Sequence, residues 1–133
     1  MGEEELSGRD TSPLVGHLAA WNYFESVESH RKAEFIAKWK AFVGDAARTT
    51  NDAMEAHYIG FNLWVQAVEK VGTTDVDAVL TALPGTETPN LTVGVAQVLP
   101  NHHITKPVYI GEVQANGQFD VVWQTSRTVP GDA

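Results

Sequence analysis

The sequence predicts an α/β domain with about three helices packed on a small mixed sheet and a β-hairpin at its end. Three observations predict it. From Ala33 to Leu83 apolar residues recur at helical spacing, and Gly44 and Gly72 interrupt the pattern where helices would end. From Tyr109 to Gln124 two strand-like runs flank Asn116-Gly117, a pair that suits the positive φ values of a tight hairpin turn. Hydrophobic residues make up 43% of the 133, with four Trp and five Phe, which is ample for one core. A domain of this size buries roughly two thirds of its unfolded surface.

The elements follow in order. Residues 1–13, MGEEELSGRDTSP, read as a polar tail, and 14–133 as a single domain. Leu14 to Tyr23 is apolar on both alternating faces, the pattern of a strand buried on both sides. Ser26 to His30 is a turn. A first helix from Ala33 to Val43 places Phe35, Ile36, Trp39, Phe42 and Val43 on one side. A second helix opens with Asp52 and Glu55 at capping-box spacing and sets Met54, Tyr58, Phe61, Val65 and Val68 on one face. Ile59, Leu63 and Trp64 lie off that face, so packing on two sides is expected. Gly60, mid-helix, suggests close approach by another backbone. Thr74 caps a third helix whose buried side is Val76, Val79, Leu80 and Leu83. Leu91 to Leu99 alternates weakly as a strand, and Tyr109–Gln114 and Gln118–Gln124 form the closing hairpin.

Charge and composition exclude several function classes. The net charge is −8, with 17 acidic against 9 basic residues, and no basic stripe is present to bind phosphate backbones, so no nucleic-acid partner is expected. Cysteine is absent, which removes disulfides, thiolate nucleophiles and thiolate metal sites. No apolar run approaches the roughly 20 residues that span a bilayer. The first residues have neither the charged region nor the apolar region of a signal peptide, so the chain as written is expected in the cytoplasm.

No catalytic constellation emerges, and neither a cofactor nor a metal is expected. His102 and His103 are adjacent and point in different directions, without a third ligand at suitable spacing. Glu55 and His57 face about 200° apart on a helix and cannot act together. The serines lack a nucleophile elbow, and no glycine-rich phosphate loop occurs.

Three blocks nevertheless carry a resemblance. Asn51 to Pro84, NDAMEAHYIGFNLWVQAVEKVGTTDVDAVLTALP, Leu14 to Val27, LVGHLAAWNYFESV, and Leu99 to Trp123, LPNHHITKPVYIGEVQANGQFDVVW, resemble in order the closing segment of the type I periplasmic binding proteins, the solute receptors of ABC importers. The likeness is greatest to the branch that binds urea and short-chain amides. Ala53 stands where that family usually has proline, and Val93 where it tends to have glycine.

The resemblance implies a partial type I fold, corresponding to the last third of a two-lobed receptor. It implies a non-catalytic role in binding urea or a short-chain amide, a periplasmic location for the parent family, and docking of that family on ABC transporter membrane subunits. It also implies that Trp21, Asn22, Tyr23 and Phe24 lie near the hinge and cleft, where aromatic rings and a few polar groups suit a small neutral ligand. The strand pattern alone favours Trp21 and Tyr23 as core residues. Glu3, Glu4 and Glu5 match an acidic segment of the family but are expected in solvent here. Apolar helix faces without the rest of a receptor to cover them predict a homo-oligomer, with Trp64, Phe61 or Leu14–Tyr23 at the contact. A stand-alone oligomeric interaction module, without ligand binding, is the alternative.

Overall fold

The computed structural model describes residues 1–131, so the last two residues of the 14–133 unit lie outside the described part. The chain forms α1 (Glu3–Leu6), β1 (Leu18–Trp21), α2 (His30–Val43), α3 (Asp52–Val71), α4 (Val76–Ala82), β2 (Glu87–Pro89), β3 (Val95–Gln97), β4 (Tyr109–Val113) and β5 (Phe119–Gln124). This is the expected α/β class, with three main helices and a terminal hairpin. One short helix lies where a tail was expected. No helix among the described residues is long and apolar enough to cross a membrane.

The sheets are antiparallel, in the order β1-β4-β5 and β2-β3, whereas the sequence suggested a mixed sheet. The long excursion between β1 and β4 brings the chain back in the opposite sense, pairing Leu18 with Glu112 and Trp21 with Tyr109. The β4–β5 hairpin turns where expected, with Gly117 at φ 78°. A register shift falls between Ile110 and Gly111, and an added Cβ at Gly111 would meet the Phe24 ring at 2.9 Å.

Leu6, Phe24, Tyr109, Val113 and Phe119 form the core under the three-stranded sheet, and the Phe24 and Phe119 rings stack at 4.6 Å between centroids. β1 is shorter than the expected strand and lies at the sheet edge. Its outer face is open, with Leu18 62% exposed, so it is not buried on both sides. The segment before β3 is a turn rather than strand, closed by Asn90 N–H donating to the Gly94 carbonyl at 3.1 Å.

α3 differs most from expectation. Its buried residues are Glu55, Ile59, Leu63 and Ala67, spaced four apart, and not the Met54–Tyr58–Phe61–Val65–Val68 face. Ile59 and Leu63 pack on Ala96 and Val98 of the β2–β3 region, while Ala67 meets Val79 and Ala82 of α4. Apolar residues lie on more than one side of the helix, so the neighbour decides which stripe is covered. Gly60 faces open space, and the expected close backbone approach is absent.

The caps shift by one residue. Asn51, not Asp52, caps α3 by accepting from Met54 N–H at 2.9 Å. Asp75, not Thr74, caps α4 by accepting from Ala78 N–H at 3.0 Å. α2 ends at Gly44 and α3 at Gly72, both left-handed, as the sequence indicates. On α2, only Lys32 is fully buried; Phe42 is 85% exposed, so the apolar stripe expected on this helix is only partly covered.

Candidate cleft floored by a buried ion pair

Freed from capping, Asp52 and Glu55 turn their carboxylates inward from the first turn of α3. Glu55 has no exposed surface and accepts from Lys106 Nζ, which is itself buried just before β4. Asp52 accepts the backbone N–H of Asn22 at 3.1 Å, tying the end of β1 to the start of α3. The Asn22 side-chain amide donates to the Pro107 carbonyl at 2.7 Å, beside Lys106. Three chain segments far apart in sequence thus converge on one polar point.

An open cleft of about 580 Å³ lies over this point, lined by Asn22, Asp52, Lys106, Val108, His102 and His103 among others. Its electrostatics follow from burial. Desolvation raises the Asp52 and Glu55 carboxyls above their ordinary values, and the Lys106 ammonium works in the opposite direction on both. Of these groups Asp52 and Lys106 line the cleft, while Glu55, which holds Lys106, has no exposed surface. The cleft therefore offers amide, carboxylate and ammonium groups at short range. His102 and His103 are exposed, and among the described residues no cluster of His, Cys, Asp or Glu is placed to hold a metal.

The four residues expected at a ligand divide. Asn22 lines the cleft. Trp21 is half-buried, and its Nε1–H donates to the Met1 carbonyl at 2.8 Å. Tyr23 and Phe24 are fully buried, Phe24 in the sheet core and Tyr23 with its hydroxyl 2.7 Å from Thr50 Oγ1. Burial pushes the Tyr23 hydroxyl well above its ordinary value. Thr50 Oγ1 donates in turn to Glu25 at 2.8 Å, and Lys40 stands 3.7 Å from the same carboxylate.

Glu3 departs from the expected solvated position. It is 1% exposed and accepts from Ser26 N–H at 3.0 Å and Ser26 Oγ at 3.2 Å, so α1 is fastened to the chain after β1.

Sequence reasoning missed Asp52, Glu55 and Lys106 as a group. A usable signal existed: Asn51 already supplies a cap, which leaves two acids at i and i+3 without local work, and Lys106 is the single charge in the run Ile104 to Ile110.

Comparison with known proteins places these features in a wider setting. The family model described as periplasmic binding protein domain matches residues 1–133. The structure of an ABC transporter solute-binding protein from Rhodopseudomonas palustris BisB5, in complex with 3,4-dihydroxybenzoic acid, is similar with a TM-score of 0.73 at 21% identity, covering 92% of this chain and 34% of that one. Another from Rhodopseudomonas palustris HaA2, in complex with p-hydroxybenzoic acid, has a TM-score of 0.70 at 24% identity, covering 84% and 31%. A limonene hydroxylase of Geobacillus stearothermophilus is 27% identical over 116 residues, which is 87% of this chain and 21% of that protein. The chain therefore spans about a third of the solved structures and about a fifth of the curated relative.

Proposed function

The chain belongs to the periplasmic binding protein domain family, and from that premise we propose that it supplies one side of a solute-binding cleft whose ligand is a small neutral amide or urea. Binding is non-covalent, and the parent receptor hands its solute to an ABC importer. The observation that carries this reading is the convergence of Asn22, Asp52 and Lys106 on one open cleft.

The ligand class rests on charge. The two Rhodopseudomonas palustris structures hold hydroxybenzoic acids, which are anions at neutral pH. Here an anion would face the Asp52 carboxylate beside an ammonium that the buried Glu55 already engages. A neutral amide meets no such repulsion: its N–H groups suit the Asp52 carboxylate and the Asn22 carbonyl oxygen, and its oxygen suits a donor. Asn22 is the contact residue in this reading. Its backbone N–H on Asp52 and its side-chain amide on the Pro107 carbonyl hold it in place. Calorimetric titration with urea, acetamide and 4-hydroxybenzoate tests the assignment.

A second reading, self-association, has its own support. Phe61 is 63% and Trp64 40% exposed on α3, with their rings stacked at 5.7 Å between centroids. A second copy of the chain laid on this face would remove both rings from water. Sedimentation at micromolar concentration tests it: a dimer that the Phe61→Ser, Trp64→Ser double variant dissociates is expected, and a monomer throughout contradicts it.

A further inference from the structure

Glu3 is the one buried acid of α1, and one oxygen of its carboxylate is unused. Oε1 accepts from the Ser26 N–H at 3.0 Å and from Ser26 Oγ at 3.2 Å, whereas Oε2 has no hydrogen-bond partner. The neighbouring acids are occupied: Glu4 stands 3.5 Å from Arg48, and Glu5 accepts the Gly2 N–H at 2.6 Å. The backbone N–H of Glu3 lies against its own carboxylate. A carboxylate accepts about four hydrogen bonds, so acceptor capacity remains.

Glu3 lines a cavity of about 320 Å³ between α1, the loop at Ala47 and Thr49, and the hairpin turn from Ala115 to Gln118. Its lining shares no residue with that of the Asn22 cleft. Thr49 lines the same cavity, and its buried Oγ1 also has no partner. The walls are fastened: Ser26 holds α1, and Thr11 Oγ1 donates to the Ala115 carbonyl at 2.9 Å, which pins the hairpin turn. Among the described residues Arg9 is the one cation on the lining, and its exposed side chain makes no ion pair with Glu3.

We propose that this cavity is a second binding site, which takes the N–H-bearing head of a small organic cation, such as a primary alkylammonium, with Glu3 Oε2 and Thr49 Oγ1 as its acceptors. Both free groups accept hydrogen bonds, so the ligand must donate. Its charge follows from Glu3. Burial raises this carboxyl above its ordinary value, because the anion is short of compensation. A cation supplies that compensation, and charge-assisted hydrogen bonds are roughly twice as strong as neutral ones. An anion would meet like charge at the buried carboxylate. The site stands apart from the amide reading of the Asn22 cleft and does not depend on it.

Nuclear magnetic resonance titration of the isotope-labelled chain with methylammonium chloride tests the site, with tetramethylammonium chloride and sodium chloride at equal ionic strength as controls. Saturable shifts of the Thr49, Gly117 and Gln118 amide signals are expected with methylammonium alone, at a dissociation constant on the order of millimolar. Glu3→Gln keeps an acceptor for Ser26 and should weaken binding about tenfold or more. Thr49→Val leaves the Glu3–Ser26 contacts in place and should weaken it about threefold. Arg9→Ala removes a like charge from the rim and should not weaken it. Equal shifts with all three salts overturn the inference, as does a folded chain that shows no saturation with methylammonium, or binding that is unchanged in both Glu3→Gln and Thr49→Val.

Discussion

Lys106 and Glu55 form an ion pair in the interior, 51 residues apart in sequence, with Glu55 wholly removed from solvent. Two charges taken out of water stabilise little as a pair, but either alone is costly. Lys106→Met is expected to lose about 3–5 kcal/mol, because it strands a buried carboxylate. Adding Glu55→Leu should recover most of that loss. Guanidinium chloride unfolding of the two variants checks this, and a double variant no better than Lys106→Met contradicts it.

Stability should rise as pH falls from 7 towards 5. Glu3, Asp52 and Glu55 are each raised by burial above the ordinary 4.5 of Glu or 3.8 of Asp. In the window above those ordinary values the folded state holds protons that the unfolded state has released. Folding is then favoured by acid and loses this contribution as pH climbs through the raised values. Thermal unfolding at pH 5 and 7 measures the effect, and Glu3→Gln should reduce it. A lower midpoint at pH 5 than at pH 7 would contradict the assignment.

Two glycines should respond in opposite directions to alanine. At Gly111 the new methyl would meet Phe24 at 2.9 Å and Phe119 at 3.0 Å, within the core. Gly111→Ala is expected to cost roughly 1–3 kcal/mol through overpacking. Gly60 lies mid-helix with open space around it, so Gly60→Ala should add about 0.5–1 kcal/mol. Denaturant midpoints of both variants decide the matter.

Asn51 caps the longest helix through Met54 N–H and also donates to Glu4. Asn51→Ala should cost about 1 kcal/mol, and Asn51→Ser less, because serine retains an acceptor for the cap. Equal losses in the two variants would place the energy in the Glu4 contact instead.

Local chemistry made much of the fold legible. Gly44, Gly72 and Gly117 end two helices and turn the hairpin because a left-handed residue is needed at each, and that need is visible in sequence. The covered side of α3 was not legible. Tyr58, Phe61 and Val65 form as convincing a stripe as Ile59, Leu63 and Ala67, and only the positions of β3 and α4 choose between them. The cleft was half legible. Asn22, expected near a ligand from family resemblance, lines it, but Asp52, Glu55 and Lys106 are brought together by contacts across 51 residues. A capping pattern disguised the first two, and Glu3 was hidden by its place in an acidic run.

Titration calorimetry of the purified chain reads out whether a neutral amide occupies the cleft at Asn22, Asp52 and Lys106. Saturable heat is expected with urea or acetamide, at dissociation constants on the order of micromolar to millimolar, weakened about tenfold or more in Asn22→Leu, and no saturable heat with 4-hydroxybenzoate. Saturable binding of the hydroxybenzoate without binding of the amides, or no binding of either by the folded chain, would contradict it.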